Sequence, residues 1–271
     1  MVIQGLGLSV RKASILSDSD PVKDNKVLQL DGVGDYAQLP NDTTIKTTQT
    51  NLVNAGVSGA GWFKVDMPED AVGMGLFSND GAGQGVYYGL AIQLGADGRL
   101  RMNLYDGDGG SGSTSRRTVI FDSPALGSGW NFIAFSFDNN LQANWKLWVN
   151  GSEIDVADTN GGGLTTVGYS ASGQGAVGAN LTKYFKGDIS EFALFSKKMT
   201  TDIQTTIYNC KGSTATGAFD YKTDQGNYNL ASYLTMWLKF EGNYKDSSTN
   251  NLTVDGVGDP VFVTETASRA C

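Results

Sequence analysis

From Lys26 onward the chain is a succession of short apolar runs, many of them alternating and nearly all closed by Gly, Asp or Asn. The cleanest is RLRMNLY, which sets Leu100, Met102 and Leu104 against Arg99, Arg101 and Asn103. A period of two marks a strand with one buried face. KVLQL splits in the same way, Leu28 and Leu30 against Val27 and Gln29, and GWFKVDM sets Trp62, Lys64 and Asp66 against Phe63, Val65 and Met67. WNFIAFSFD is apolar on both faces, as a central strand covered on both sides requires. In NWKLWVNGSEIDV, Asn150-Gly151 separates two alternating runs, a strong hairpin signal. GDISEFALFS, LTMWLKFEG, NLTVDG and PVFVT continue the series. Glycine supplies 36 of 271 residues with no three-residue period, so the chain is rich in tight turns and is not collagen.

One segment reads as a helix. In MTTDIQTTIYNCKG, Thr201 and Gln204 stand at capping-box spacing and Ile203 and Ile207 share a face. Gly212 supplies a stop, with Lys211 suited to the negative end of the helix dipole. The expected fold is an all-β, antiparallel jelly-roll sandwich with one short helix and terminal extensions. The expected organisation is an arm over 1–23, the sandwich over 24–209, a loop or linker over 210–232, and C-terminal strands over 233–271 that pack on the sandwich.

The pentapeptide DGVGD occurs at Asp31–Asp35 and again at Asp255–Asp259, each time between two apolar runs. Different flanking residues, Tyr36 and Pro260, argue against duplication of a whole domain. The expected role is a Gly-rich turn used at two strand junctions, with the aspartates bonding to nearby backbone.

Several functions are excluded by residue type. The chain has no histidine, which removes Ser-His-Asp and Cys-His catalysis and the usual zinc sites. A net charge of −8 argues against a nucleic-acid groove. No apolar run approaches the ~20 residues of a membrane helix, and the N-terminus carries no apolar core of signal-peptide type. Two cysteines, Cys210 and Cys271, leave a single disulfide open but do not form a framework. The four Asn-x-Ser/Thr sites read as chance.

In order along the chain, VLQLDGVGDYAQLP, GWFKV, WNFIAFSFD, WKLWVNGSEI and KGDISEFALFSKKMTTDIQTTIYN resemble the laminin-G-like, concanavalin-A-like jelly-roll domains. The resemblance covers about residues 26–209. MWLKFEGNYKDSSTNNLTVDG, at Met236–Gly256, resembles a segment that usually precedes such a domain, here displaced to follow it. Thr235–Phe240 is therefore expected to lie beside the sandwich near Val27–Leu30, in the same chain or a neighbour.

Glu153, Asp155 and Asp158 resemble the E-x-D-x-x-E signature of glucan-cleaving jelly rolls, in which two carboxylates work as a retaining pair. Here the last member is one methylene short and Glu153 follows a hairpin turn, so these acids are expected on a surface strand. Tyr88, Tyr105, Asp106 and Asp108 are the candidate binding residues: the tyrosines could stack on a sugar ring, and the aspartates could ligate Ca²⁺. Tyr87 and Tyr88 should point to opposite faces. No cofactor is expected, Ca²⁺ being the one left open.

The resemblance, which extends to single jelly rolls of bacteriophage virion proteins, implies a non-enzymatic structural component of a phage particle: a capsid decoration, tail or fibre protein. Its implied partners are other virion proteins and further copies of itself in a homo-oligomer. Carbohydrate binding to host or surface glycans is the alternative function. Neither nucleic acid nor membrane is an expected partner.

Overall fold

The computed structural model describes residues 26–265, apart from 43, 46–54, 67–72, 81–87, 108–115, 124–125, 128, 139–141, 162–167, 169, 171 and 210–218. Its strands begin with β1 (Lys26–Asp31), β2 (Tyr36–Gln38), β3 (Val57–Val65), β4 (Met74–Ser78), β5 (Tyr88–Leu94) and β6 (Leu100–Asp106). β7 (Arg116–Phe121), β8 (Asn131–Phe137), β9 (Lys146–Val149), β10 (Ser152–Glu153), β11 (Val156–Asn160) and β12 (Ala176–Val177) follow. The series closes with β13 (Ala179–Asn180), β14 (Lys183–Tyr184), β15 (Lys186–Phe195), β16 (Leu234–Leu238), β17 (Asp255–Val257) and β18 (Val261–Thr264). A helix spans Thr201–Asn209.

These strands build two antiparallel sheets. The first runs β10-β9-β8-β3-β15-β1-β18 with β16 also on β15, and the second runs β11-β7-β6-β5-β4-β12-β2-β17. The main core lies between them. Leu28, Phe63, Ile133, Phe135 and Phe192 of the first sheet meet Leu90, Ile92, Met102, Leu104 and Val119 of the second. Burying each such side chain is worth about 1.5–3 kcal/mol. The alternation of RLRMNLY is obeyed: Leu100, Met102 and Leu104 line this core.

β8 is buried along its whole length because the first sheet is covered on both faces. Its outer face carries a second core in which Trp62, Phe132, Trp148, Phe195 and Trp237 pack against Ile203 and Ile207 of the helix. Phe219, Tyr221, Tyr228 and Leu230 belong to the same cluster. Irregular backbone can supply such a cover once its own polar groups are satisfied. The Tyr228 hydroxyl donates to the Tyr221 carbonyl at 2.6 Å, and Gln225 and Tyr228 exchange backbone bonds.

The helix cap differs from expectation by one residue. Thr200 is the N-cap, its hydroxyl accepting from Ile203 N at 3.4 Å, while Thr201 turns away and donates to Glu153 at 2.9 Å. Gly212, Lys211, Cys210 and Cys271 lie outside the described residues.

The two DGVGD turns meet. The first carries the chain from β1 in the first sheet to β2 in the second, and the other returns it from β17 to β18. β17 pairs with β2 and β18 with β1, so the crossings run side by side. Asp259 N donates to Asp35 Oδ1 at 2.8 Å, and Val33 N donates to Asp31 Oδ1 at 2.6 Å. Gly34 and Gly258 hold φ of 93° and 80°, which side-chain-bearing residues adopt at a cost.

The displaced C-terminal segment folds back within the same chain. β15 is long enough to pair with β1 through Lys186–Ile189 and with β16 through Phe192–Phe195. Met236, Leu238 and Phe240 enter the main core, and Trp237 enters the second. The other edge of β16 is met by an isolated antiparallel bridge from Asp246 to Leu238 and by side chains of the same segment. Asp246 accepts from Trp237 N, Ser248 N, Ser248 Oγ and Leu252 N at 2.7–2.9 Å. Ser247 N donates to Trp237 O, and Asn250 Nδ2 to Thr235 O, both at 2.8 Å. The aspartate of the DSS motif is thus an edge cover of the kind that blocks strand addition.

Candidate functional site: the outer face of the second sheet

Tyr88 and Asp106 are brought together, opposite one another in the β5–β6 register. They alternate with Leu90 and Leu104, so they lie at the end of the face that looks toward the first sheet. Both are half-buried. Tyr105 points the other way and is only 2% exposed, which removes its ring as an open stacking surface. Asp108 and Tyr87 lie outside the described residues, so the Ca²⁺ pairing of Asp106 with Asp108 does too. The sequence reading passed over Asn79 and Asp80, which organise this end. Asn79 Oδ1 accepts from Leu90 N at 2.8 Å, and Asp80 Oδ2 accepts from Ser170 N at 2.7 Å. Their signal was the SND that closes the apolar run of β4.

The outer face is a grid set by strand register. Gly75, Gln93, Arg101, Ile120 and Asp158 form one row, and Ser78, Ala91, Asn103, Thr118 and Asn160 the next. Gly89, Tyr105 and Arg116 form a third. Thr118 Oγ1 donates to Asn103 Oδ1 at 2.8 Å, and Asn103 Nδ2 to Gln93 Oε1 at 3.4 Å. This amide and hydroxyl ladder forms a floor from which Arg101, Ile120 and Arg116 rise half-buried.

The hairpin β13–β14 walls one side. Ser78 Oγ donates to Ala179 O at 3.1 Å, and a Cβ on Gly75 would stand 2.1 Å from Asn180 N. Gly75 is therefore glycine because the hairpin backbone lies directly on it. Asn180 is 2% exposed, and among the described residues its Nδ2 has no hydrogen-bond partner.

The ends of the hairpin and strands gather positive charge. Lys183 Nζ lies 3.2 Å from the position a Gly73 Cβ would take, and Arg101 Nε lies 2.7 Å from that of Gly95. Gly73 and Gly95 follow the register of Met74 with Leu94, so the two cations occupy neighbouring strand ends. Partial burial, then repulsion from Arg101 and Arg116, holds the Lys183 ammonium below the ordinary lysine range.

The Glu153–Asp158 string does not form a catalytic strand. Glu153 ends β10 at the edge of the first sheet, whereas Asp158 lies in β11 at the edge of the second. Glu153 is engaged by Lys146 and Thr201. Burial pushes its pKa up, but the bonds from Lys146 and Thr201 outweigh this and hold it below the usual carboxylate range. A cleft of about 570 Å³ beside the DGVGD turns is acidic: Asp31, Asp35, Asp66, Asp188 and Asp259 line it with two lysines, of which Lys64 bridges Asp188 and Glu265 and Lys186 pairs with Asp66.

Two packed antiparallel sheets of this kind form a jelly-roll sandwich. The family described as the Concanavalin A-like lectin/glucanases superfamily matches residues 31–203, and the chain belongs to it. Among solved structures, a candidate carbohydrate-binding protein from Bacteroides ovatus is 16% identical, with a TM-score of 0.56 over 91% of this chain. This chain spans 62% of that protein's length. A heptameric SAP-like pentraxin from Limulus polyphemus is 12% identical, with a TM-score of 0.50, 92% of this chain and 98% of the pentraxin being covered. These likenesses concern the fold. No curated protein matches the sequence.

Proposed function

We propose that this chain binds carbohydrate on the outer face of its second sheet. The observation that carries the reading is the Gln93–Asn103–Thr118 ladder, an array of amide and hydroxyl groups set between the hairpin wall and Asn160. The ladder is buried, with Gln93 8%, Asn103 2% and Thr118 5% exposed, so it supports the face from beneath, and the half-buried Arg101, Ile120 and Arg116 above it are the groups a sugar would meet. The superfamily and the description of the Bacteroides protein support it. The division of Glu153 from Asp158 between two sheets favours a binding protein over a hydrolase. The test is a glycan array probed with the purified chain, followed by Gln93→Leu and Thr118→Val. Each replacement removes a buried hydrogen-bond partner of Asn103, at a cost of about 1–3 kcal/mol in stability, and binding weakened about tenfold or more is expected at a temperature where the variant is still folded. An array with no signal above background would overturn the reading.

Placement in a virus particle, with capsid or tail subunits as partners and a homo-oligomer as the assembled form, is a further proposal. It is supported by the resemblance of the motifs to phage virion proteins. Mass spectrometry of purified virions tests it.

A further inference from the structure

We infer that the same face holds a subsite for an anionic sugar, whose carboxylate or sulfate is bound by Lys183 and Arg101 at the neighbouring strand ends marked by Gly73 and Gly95. This rests on the carbohydrate reading and names the class of ligand within it. The chain carries 28 acidic against 20 basic residues, so cations gathered on one face run against its overall charge. Among the described residues, Lys64, Lys146, Lys186 and Lys198 are each held by a carboxylate. Lys183 and Arg116 make none among the described residues.

Arg101 pairs with Asp97 through Nη2 at 2.8 Å, but its buried Nε has no partner among the described residues. Partial burial first, and repulsion from Arg101 and Arg116 second, hold the Lys183 ammonium below its ordinary range. An anion placed among them would relieve that repulsion and gain charge-assisted hydrogen bonds.

Asp97 pairs with Arg101 alone, and the other acids nearby are engaged elsewhere. Asp158 on β11 accepts from Thr159 N and Asn160 Nδ2, and Asp106 belongs to the opposite face. The floor beneath is the Gln93–Asn103 pair, with Gln93 directly opposite Arg101, so hydroxyl recognition and anion recognition adjoin. Asn180, on the hairpin beside Lys183, adds a buried amide in search of an acceptor.

The experiment measures binding of the full chain to two acidic probes, an oligogalacturonate and a sulfated chondroitin oligosaccharide. Each is compared with its carboxyl-reduced or desulfated form, and inorganic sulfate is run alongside. The expected result is that at least one acidic probe binds about tenfold more tightly than its neutral form at low salt. That advantage should shrink as salt is added and vanish in Lys183→Gln and in Arg101→Gln. Lys245→Gln, a control on the C-terminal segment, should keep it. Equal binding of acidic and neutral forms overturns the subsite and leaves the carbohydrate reading standing. Inorganic sulfate binding as tightly as the acidic sugar, through the same residues, also overturns it, since the site would then select a simple anion. Failure of every probe overturns the subsite, and the glycan array then decides the carbohydrate reading by itself.

Discussion

Asp246 shows how much one buried side chain can organise. Its carboxylate is 2% exposed as a residue and accepts from three backbone amides and one hydroxyl, tying Trp237, Ser248 and Leu252 into one corner. Asp246→Ala strips all four donors of their acceptor. Unsatisfied buried groups cost about 1–3 kcal/mol each, and a loss of at least ~3 kcal/mol is expected in urea unfolding. Asp246→Asn keeps one acceptor oxygen and should fall between the two. A variant within error of the parent would show that the corner is dispensable. Glu153 is the opposite case, an exposed acid in a surface pair. Its folded pKa is depressed, so the stability it adds is present above the unfolded value and is lost as pH falls through the folded one. Glu153→Gln should therefore cost less than about 1 kcal/mol at neutral pH, and the gap should close in acid. Thermal melts across pH check this, and any glycosidase activity found in the parent should persist in the variant.

At the scale of elements, the hairpin β13–β14 depends on contact without tolerance. A Cβ at position 75 would meet Asn180 N at 2.1 Å and the Ala179 carbonyl carbon at 2.5 Å, and both are backbone atoms. Gly75→Ala must displace the hairpin, at a cost of about 1–3 kcal/mol. Because the hairpin presents Lys183, acidic-sugar binding should fall together with the melting temperature. A stable variant with intact binding would show that the hairpin is not the wall of the site. Strands of this kind were legible in the sequence wherever one face is buried. Leu100, Met102 and Leu104 announce themselves by alternation, and Asn150-Gly151 by its turn chemistry, with φ of 50° and 86°. β13 and β14 were not legible, because two-residue strands carry no periodicity and their partner is a glycine. The site was hidden for the same reason. Gln93, Asn103 and Thr118 look like ordinary polar positions until register sets them in one line, and Lys183 approaches Arg101 only through a fold-back. Tyr105 misled because its exposure depends on what covers it, which local pattern does not contain.

The whole molecule is closed by its last strands. β16 extends the flank of β15 beyond the end of β1, β18 covers the outer edge of β1, and β17 covers β2, so the C-terminal segment borders both sheets. The displaced motif therefore serves the same sandwich from the other end of the chain, the arrangement a circular permutation would give. Sandwich folds accept this when the two ends lie close together. Deleting residues 231–271 removes Met236, Leu238, Phe240, Leu252 and Val254 from the main core and Trp237 from the second. Truncating one large core side chain costs about 2–5 kcal/mol, against a typical net stability of about 5–15 kcal/mol. The shortened chain would also expose the ladders of β15, β1 and β2, an invitation to edge pairing. It is expected to aggregate or to show no cooperative melt by circular dichroism. Leu238→Ala, a milder lesion in the same element, should fold with a lowered melting temperature and the parent spectrum. A truncated protein that stays soluble and melts at the full-length temperature would show that the sandwich closes without its tail.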